Sequence, residues 1–346
     1  MKKSLIALAV LAASGASMAQ SSVTLYGILD TYLASAKFET AAVVGTANTS
    51  ITQTLLNSGA VNGSRWGMKG SEDLGGGLKA NFDLQAGISI DTGAGTNAVA
   101  NAFSRQSWVG FSGGFGAVRL GRTTTAFDDV SGSSDAVFDA AISPVNGPVL
   151  AVFKSTGYSA RQDNMFYYQA PSMGGFSGAI SYALGENKTA TTSATSTTSL
   201  NLTYGAGPLA VQFAYQVEDI ANTVLLPSDK QFTRLGASYN FGVATLKANY
   251  GKAANMANAN GADASEYQLG VDFPMSAALT LSANFASSDD NLAAGDASRS
   301  GFGLGAAYTL SKRTFLYGGF GMAKTTKTGF NDATNTVLAA GVQHRF

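Results

Sequence analysis

The chain has 346 residues, with 22 basic and 22 acidic side chains, one histidine and no cysteine. The missing cysteines exclude a disulfide framework, a thiolate metal site and a cysteine nucleophile. The balanced charge excludes a strong basic field for nucleic acid.

The first element is MKKSLIALAVLAASGASMAQ. Lys2 and Lys3 make a positive n-region, Leu5 to Ala13 a short apolar h-region, and Ser17-Met18-Ala19 a small-x-small cleavage site. That pattern predicts a signal peptide over 1–19 and a mature chain over 20–346. The apolar run is shorter than the roughly 20 residues a membrane-spanning helix needs. Removing Lys2 and Lys3 leaves 20 basic against 22 acidic residues, a formal charge of −2. No later segment approaches 18 consecutive apolar residues. The bilayer admits one other spanning structure, the closed β-barrel.

Strand-like alternation then recurs from end to end. Val23, Leu25, Leu29 and Leu33 alternate with Thr24, Tyr26, Asp30 and Tyr32. Leu78, Ala80, Phe82, Leu84 and Ala86 alternate with Lys79, Asn81, Asp83, Gln85 and Gly87. The same period returns at Leu209–Glu218, Tyr267–Phe273, Leu279–Phe285 and Phe302–Tyr308. The polar set is small or hydrophilic, which suits a wet lumen better than a second packed layer. Strand glycines at 301, 303 and 305 are read as leaving room for lumen water or neighbouring aromatics.

The connections alternate in length. Short links are expected at 71–77, 113–114, 171–175, 207–208, 240–242, 274–278 and 310–313. Long links are expected at 37–61, 92–102, 123–160, 185–199, 218–230, 252–265, 287–300 and 324–334. The segments between them number 16. Short turns at one rim and long loops at the other predict an all-β, 16-stranded antiparallel transmembrane β-barrel with short periplasmic turns and long extracellular loops. The longest link, Thr123 to Ala160, is too long for an ordinary surface connection. It carries Asp128, Asp129, Asp135 and Asp139, and Val137, Phe138, Ala140, Ala141 and Ile142 at a spacing that suits a short helix. Its apolar content predicts that this third loop, 124–160, folds inward as a pore constriction. In the last strand Leu338, Ala340, Val342, His344 and Phe346 share one face, and a terminal ring at the rim suits an aromatic girdle.

Six separated blocks carry a family resemblance: QSSVTLYGILD, SRWGMKGSEDLGGGLKANFDLQAG, SRQSWVGFSGGFGAVRLGR, ARQDNMFYYQAPSMGGFSGAISY, YTLSKRTFLYGGF and GVQHRF. In this order they resemble the general porins of β-proteobacteria, of the Neisseria, Bordetella, Burkholderia and Comamonas type. The resemblance implies a 16-stranded barrel, a homotrimer, an inward-folded third loop and passive diffusion of small hydrophilic solutes and ions. It also implies contact with outer-membrane lipid and lipopolysaccharide.

A pore sorts ions by charges on its wall and on the loop opposite. Alternation puts Arg65, Lys69 and Lys79 on the polar face of the second and third strands. Arg119 alternates with Val118 and Leu120, and Arg161 has inward parity. A charge on the lipid face near the midplane costs about 2–4 kcal/mol, so inward is preferred. Alternation does not decide Arg105; the resemblance places its block in a basic pore cluster. Arg122, at the start of the long loop, suits either the wall or the loop. The expected basic wall is therefore Arg65, Lys79, Arg105, Arg119, Arg122 and Arg161. The expected acidic partners are Asp128, Asp129, Asp135 and Asp139.

Enzyme readings fare poorly. A serine hydrolase needs a histidine beside its serine, and the one histidine, His344, lies on the outer face of the last strand, so a triad is not expected. The pairs Asp128–Asp129 and Asp289–Asp290 read as hydrated loop charges rather than acid catalysts or calcium ligands. No cofactor and no metal is expected. A general-diffusion porin of the outer membrane is the leading reading; a substrate-selective channel on the same barrel, or an adhesin working through its loops, are the alternatives.

Overall fold

The computed structural model describes residues 22–96, 102–145, 147–219, 229–256, 261–291 and 296–346. The expected signal peptide, 1–19, lies outside the described residues. One antiparallel sheet runs through the chain and closes on itself. It has 16 staves: β1 Ser22–Thr40; β2 in two segments, Thr49–Ser58 and Arg65–Gly75; β3 Leu78–Ser89; β4 Gln106–Gly113; β5 Gly116–Thr124; β6 Arg161–Gln169; β7 Phe176–Leu184; β8 Ser196–Ala206; β9 Leu209–Asp219; β10 Lys230–Asn240; β11 Thr245–Ala254; β12 Ala264–Pro274; β13 Leu279–Asp290; β14 Ala297–Thr309; β15 Thr314–Lys327; and β16 Ala333–Arg345.

Each stave pairs with its chain neighbour, and β1 pairs with β16 from Ile28 opposite Arg345 to Lys37 opposite Thr336. The last residue completes the seam. Phe346 N–H donates to the Gly27 carbonyl, and Gly27 N–H donates to the Phe346 carbonyl. Among the described residues, closure leaves no sheet edge unpaired in the hydrocarbon, where an unsatisfied backbone group is costly.

The two faces separate as alternation predicts. Leu25, Leu33, Val109, Phe166, Ile180, Leu202, Leu235, Leu269, Leu304 and Leu338 are exposed on the outer face. Asp30, Gln216, Arg234, Glu266, Gln268 and Asn284 are buried on the inner one. Such exposure of leucines on a water-facing surface would be unfavourable, and a lipid solvent removes the cost. Phe115, Phe176, Tyr239, Phe241, Phe273, Tyr308 and Phe346 are exposed beside the short turns, where a girdle belongs. Ala86 departs from this division: it lies opposite Trp66 in the register and is buried, not open to lipid. Leu269 is at mid-stave on the outer face, opposite Ala248 and Phe285. Leu269→Arg is expected to lower barrel stability by about 2–4 kcal/mol, read as a lower urea midpoint for tryptophan fluorescence in lipid vesicles.

The Gly75-Gly76-Gly77 turn has three successive positive φ angles, +86°, +62° and +81°. L side chains rarely adopt that path, so the glycines permit a turn this tight. At the other rim the strands outrun the expectation. The link expected over 37–61 is a ladder from Thr31–Ser58 to Thr40–Thr49, and the links expected over 287–300 and 324–334 shrink to 291–296 and 328–332. β1 alone has 19 residues, against the roughly 9–11 needed to cross a bilayer. Beyond the membrane both faces meet water, so the alternation fades while backbone pairing continues. Lys324–Asp332, at 2.5 Å, and Arg299–Asp290 are ion pairs of this upper region.

Candidate functional site

The third long connection, 125–160, does not stay outside. It enters the barrel and is bonded to the inner wall along its length. The Ser199 hydroxyl accepts from Phe127 N–H at 2.7 Å, and Asn201 Nδ2 donates to the Ala126 carbonyl at 2.6 Å. The Ser282 hydroxyl accepts from Val137 N–H at 2.7 Å, and the Ser288 hydroxyl donates to the Val152 carbonyl at 2.7 Å. Asn335 Nδ2 donates to the Val149 carbonyl at 3.0 Å. Short polar side chains on the inward parity of β8, β13 and β16 thus satisfy backbone groups that a buried loop would otherwise leave orphaned.

Apolar contact holds the tip. Val137, Ala140, Ala141, Ile142, Val152 and Phe153 are buried in one cluster with Tyr32, Ala34, Ala60, Tyr317 and Val337 of the wall. Glycines of β14 and β15 make the approach possible. A Cβ at Gly319 would stand 2.5 Å from Ile142 Cδ1, and one at Gly305 would stand 3.0 Å from Val137 Cγ1. These glycines receive the loop rather than lumen water. The helix expected around Val137–Ile142 is not present. Val137, Phe138 and Asp139 have positive φ in a tight 3-10 turn, and the one α turn of the loop among the described residues, α1, is Asp128–Ser131. The three consecutive positive φ angles turn the chain sharply where Val137 and Ile142 pack over Gly305 and Gly319, a path a regular helix does not follow.

The loop faces a cavity of about 900 Å³. Arg65, Arg105 and Arg161 line it, as do Asp128, Asp129 and Asp139 across from them. The three guanidinium groups form no ion pair with a carboxylate among the described residues. Arg105 is held by its Nε donating to Gln85 Oε1 at 2.8 Å, and Arg65 Nη1 donates to the Gly63 carbonyl at 3.2 Å. The other expected wall bases lie elsewhere. Arg119 is stacked, its guanidinium carbon 4.6 Å from the Tyr167 ring centre and 5.3 Å from that of Trp108. Lys79 is exposed near the short turns, opposite Asp73 and Ser112. Arg122 bonds the Asp163 carboxylate at 2.7 Å and the Ser104 carbonyl at 2.6 Å, outside the cavity lining.

The acids are held rather than free. Tyr158 donates to Asp128 at 2.7 Å; Tyr167 and Thr124 donate to Asp129. Asp135 does not reach the cavity: it is buried, accepting from Ser143 at 2.8 Å and Asn284 at 3.0 Å. Burial pushes the carboxyls of Asp128 and Asp129 above their usual range. It pushes Asp135 and Asp139 up as well, and the charge of Asp139 adds to the rise at Asp135.

The profile of the Gram-negative porin family matches residues 5–328. Outer membrane porin protein 32 of Delftia acidovorans is 36% identical over 354 residues, which span 99% of this chain and 95% of that protein. An outer membrane porin protein of Bordetella pertussis is 31% identical over the full length of both chains. The chain belongs to the Gram-negative porin family. The solved anion-selective porin from Comamonas acidovorans superposes with a TM-score of 0.73 at 29% identity, covering 94% of this porin and all of that chain. This porin is therefore an outer-membrane barrel, and its relatives are channels.

Two charged wall residues that hold the loop escaped sequence reasoning. Arg234 is buried behind the loop; its Nη1 donates to the Ser131 carbonyl at 2.8 Å and its Nη2 to the Ser155 hydroxyl at 2.6 Å. Glu266 accepts from the backbone N–H groups of Lys154 at 2.5 Å and Ser155 at 3.1 Å, and from the Ser155 hydroxyl. Their inward parity was readable, but parity cannot separate a loop anchor from a solvated lumen charge.

Proposed function

We propose that this porin works as a homotrimer, in contact with outer-membrane lipid and lipopolysaccharide. It passes ions and small hydrophilic solutes passively, with a preference for anions. One observation carries the preference: Arg65, Arg105 and Arg161 line the cavity without ion pairs among the described residues, while burial raises the carboxyls of Asp128 and Asp129 across it and so weakens their negative charge. The Comamonas relative is named an anion-selective porin, which supports the same sign. Arg119 belongs to this reading as a wall charge outside the narrow section, Lys79 and Arg122 as peripheral ones, and Asp135 as a structural carboxyl.

The test is single-channel recording in planar bilayers with a salt gradient, together with liposome swelling. Ohmic steps in groups of three, a reversal potential of anion-selective sign and swelling rates that fall smoothly with sugar size are expected. Saturable, ligand-blocked currents indicate a substrate-selective channel instead. Folded protein without conductance removes both readings and leaves the adhesin.

Selectivity is expected to depend on pH with a definite sign. The loop carboxyls titrate above the ordinary carboxylate range in the folded porin. As pH falls through that raised range the loop loses negative charge while the arginines keep theirs, so the anion-to-cation permeability ratio rises. The same raised values mean that the docked loop binds protons more tightly than the unfolded chain. Its docking strengthens on acidification and weakens as pH rises through the range. Reversal potentials recorded between pH 8 and pH 5 check the first point, and Asp139→Asn is expected to flatten the curve.

A further inference from the structure

The cavity has two jaws, and the loop is only one of them. Between the two segments of β2, residues 59–64 leave the ladder: β1 pairs with Thr49–Ser58 on one side of this excursion and with Arg65–Gly75 on the other. Gly59, Ala60, Val61, Asn62 and Gly63 line the cavity opposite the loop acids. Ala60 is also where the jaws meet, because its carbonyl accepts from Ala141 N–H of the loop at 2.7 Å.

One side chain holds the excursion. Asp30, on β1, is fully buried with 0% exposure. Its carboxylate accepts from the backbone N–H groups of Ala60 at 3.0 Å, Val61 at 3.3 Å and Asn62 at 3.0 Å. The Tyr317 hydroxyl donates to it at 2.6 Å from the far side of the barrel seam. Its backbone is engaged too: Gly59 N–H donates to the Asp30 carbonyl at 2.8 Å, and the Ser64 hydroxyl accepts from Asp30 N–H at 2.9 Å. A carboxylate that accepts several N–H and O–H bonds is a strong, directional anchor. The pore function does not itself call for a charge there, since Asp30 is closed to the lumen.

The excursion in turn places cavity charges. The Gly63 carbonyl accepts from Arg65, and a Cβ at Gly63 would lie 3.2 Å from Arg105 Nη1, so the guanidinium rests against this backbone. We propose that Asp30 is a positioning residue that sets the pore's aperture and selectivity by clamping residues 59–64 against the third loop and under Arg65 and Arg105.

The inference rests on the diffusion reading above, and the wild-type channel controls for it: absent wild-type conductance defeats that reading, not this one. Asp30→Asn puts an amide N–H₂ where donors converge, while keeping shape. It is expected to insert as a folded, heat-modifiable barrel, to speed swelling by the larger sugars several-fold relative to the smallest, and to lower the anion-to-cation permeability ratio. A rescue separates positioning from general damage. The chain has no cysteine, so Ala60→Cys with Ala141→Cys introduces a single cysteine pair across the jaw contact, with bridge formation checked by thiol titration. Oxidation of that pair in the Asp30→Asn background is expected to restore the wild-type sugar profile, and reduction to abolish the restoration. Wild-type sugar dependence and reversal potential in folded Asp30→Asn overturn the proposal, as does a widened pore that the disulfide leaves unchanged. If Asp30→Asn does not insert, Tyr317→Phe, which deletes one donor to the carboxylate, carries the same test: a smaller widening is expected, and an unchanged profile overturns it.

Discussion

Replacing Arg65, Arg105 and Arg161 together by serine is expected to lower the anion-to-cation permeability ratio by about tenfold or more and to bring the reversal potential to cation-selective sign. A unit charge a few ångströms from a passing ion is worth about 1 kcal/mol in water and more where the pore is narrow, and about 1.4 kcal/mol is tenfold. Three such charges line the cavity, and none is spent on a carboxylate among the described residues. Removing them leaves Asp128, Asp129 and Asp139 facing a cavity with no basic side chain among its described lining residues. Arg119→Ser is the informative control. Its guanidinium is stacked between Trp108 and Tyr167, so its effect on the reversal potential is expected to be smaller than that of any cavity arginine. An unchanged reversal potential in the triple variant defeats the assignment of the selectivity wall.

Glu266→Ala is expected to release the second half of the third loop from the wall without opening the barrel. Glu266 bonds Lys154 and Ser155 through their backbone, and Ser155 joins it to Arg234. Both charged groups are buried, Glu266 at 1% and Arg234 at 3% exposure. Removing the Glu266 carboxyl leaves the N–H groups of Lys154 and Ser155 and the Ser155 hydroxyl without their acceptor, at about 1–3 kcal/mol for each buried group left unsatisfied. Here the cost falls on loop docking, since the ladders of β10 and β12 are made by backbone. The expected signature is new protease cleavage within 125–160 of a barrel that still shifts on heating in a gel, with noisier open-channel current. Glu266→Gln keeps an acceptor oxygen and is expected to show a weaker form of both. A protease-resistant loop with quiet current in Glu266→Ala defeats the anchor role.

The legible and illegible parts of this porin divide on a physical line. Alternation is local: a strand shows its two faces within a few residues, so Leu209–Asp219 or Leu279–Asp290 can be assigned from its own segment. Loop lengths are local as well, and they told which strand ends share a rim. The outer ends of β1, β2 and β13–β15 were missed because outside the membrane both faces meet water, and the period fades while the ladder goes on. The turn at Val137–Asp139 was missed because its conformation answers to Gly305 and Gly319, more than 160 residues later in the chain.

Candidate site residues follow the same division. Inward parity selected Arg65, Arg119 and Arg161 alike, yet only two of these three line the cavity with Arg105. Depth along the barrel, the bulge where the register shifts between Gly121 and Thr123, and the ring contacts of Arg119 made the difference. None of these is a property of one strand.

The sequence by itself therefore determined the class of the molecule: strands with one apolar face, no apolar helix, short and long connections in turn, and a mid-chain loop apolar enough to fold inward. Those features follow from solvent, because lipid outside and water inside impose a period of two on every stave. The tertiary structure alone decided which charges meet. Asp30 grips backbone some 30 residues on, Tyr317 reaches it from the other end of the chain, and Glu266 holds a loop more than 100 residues earlier. Closing the barrel brings these groups together, and that closure is a sum over all 16 registers that no single segment records.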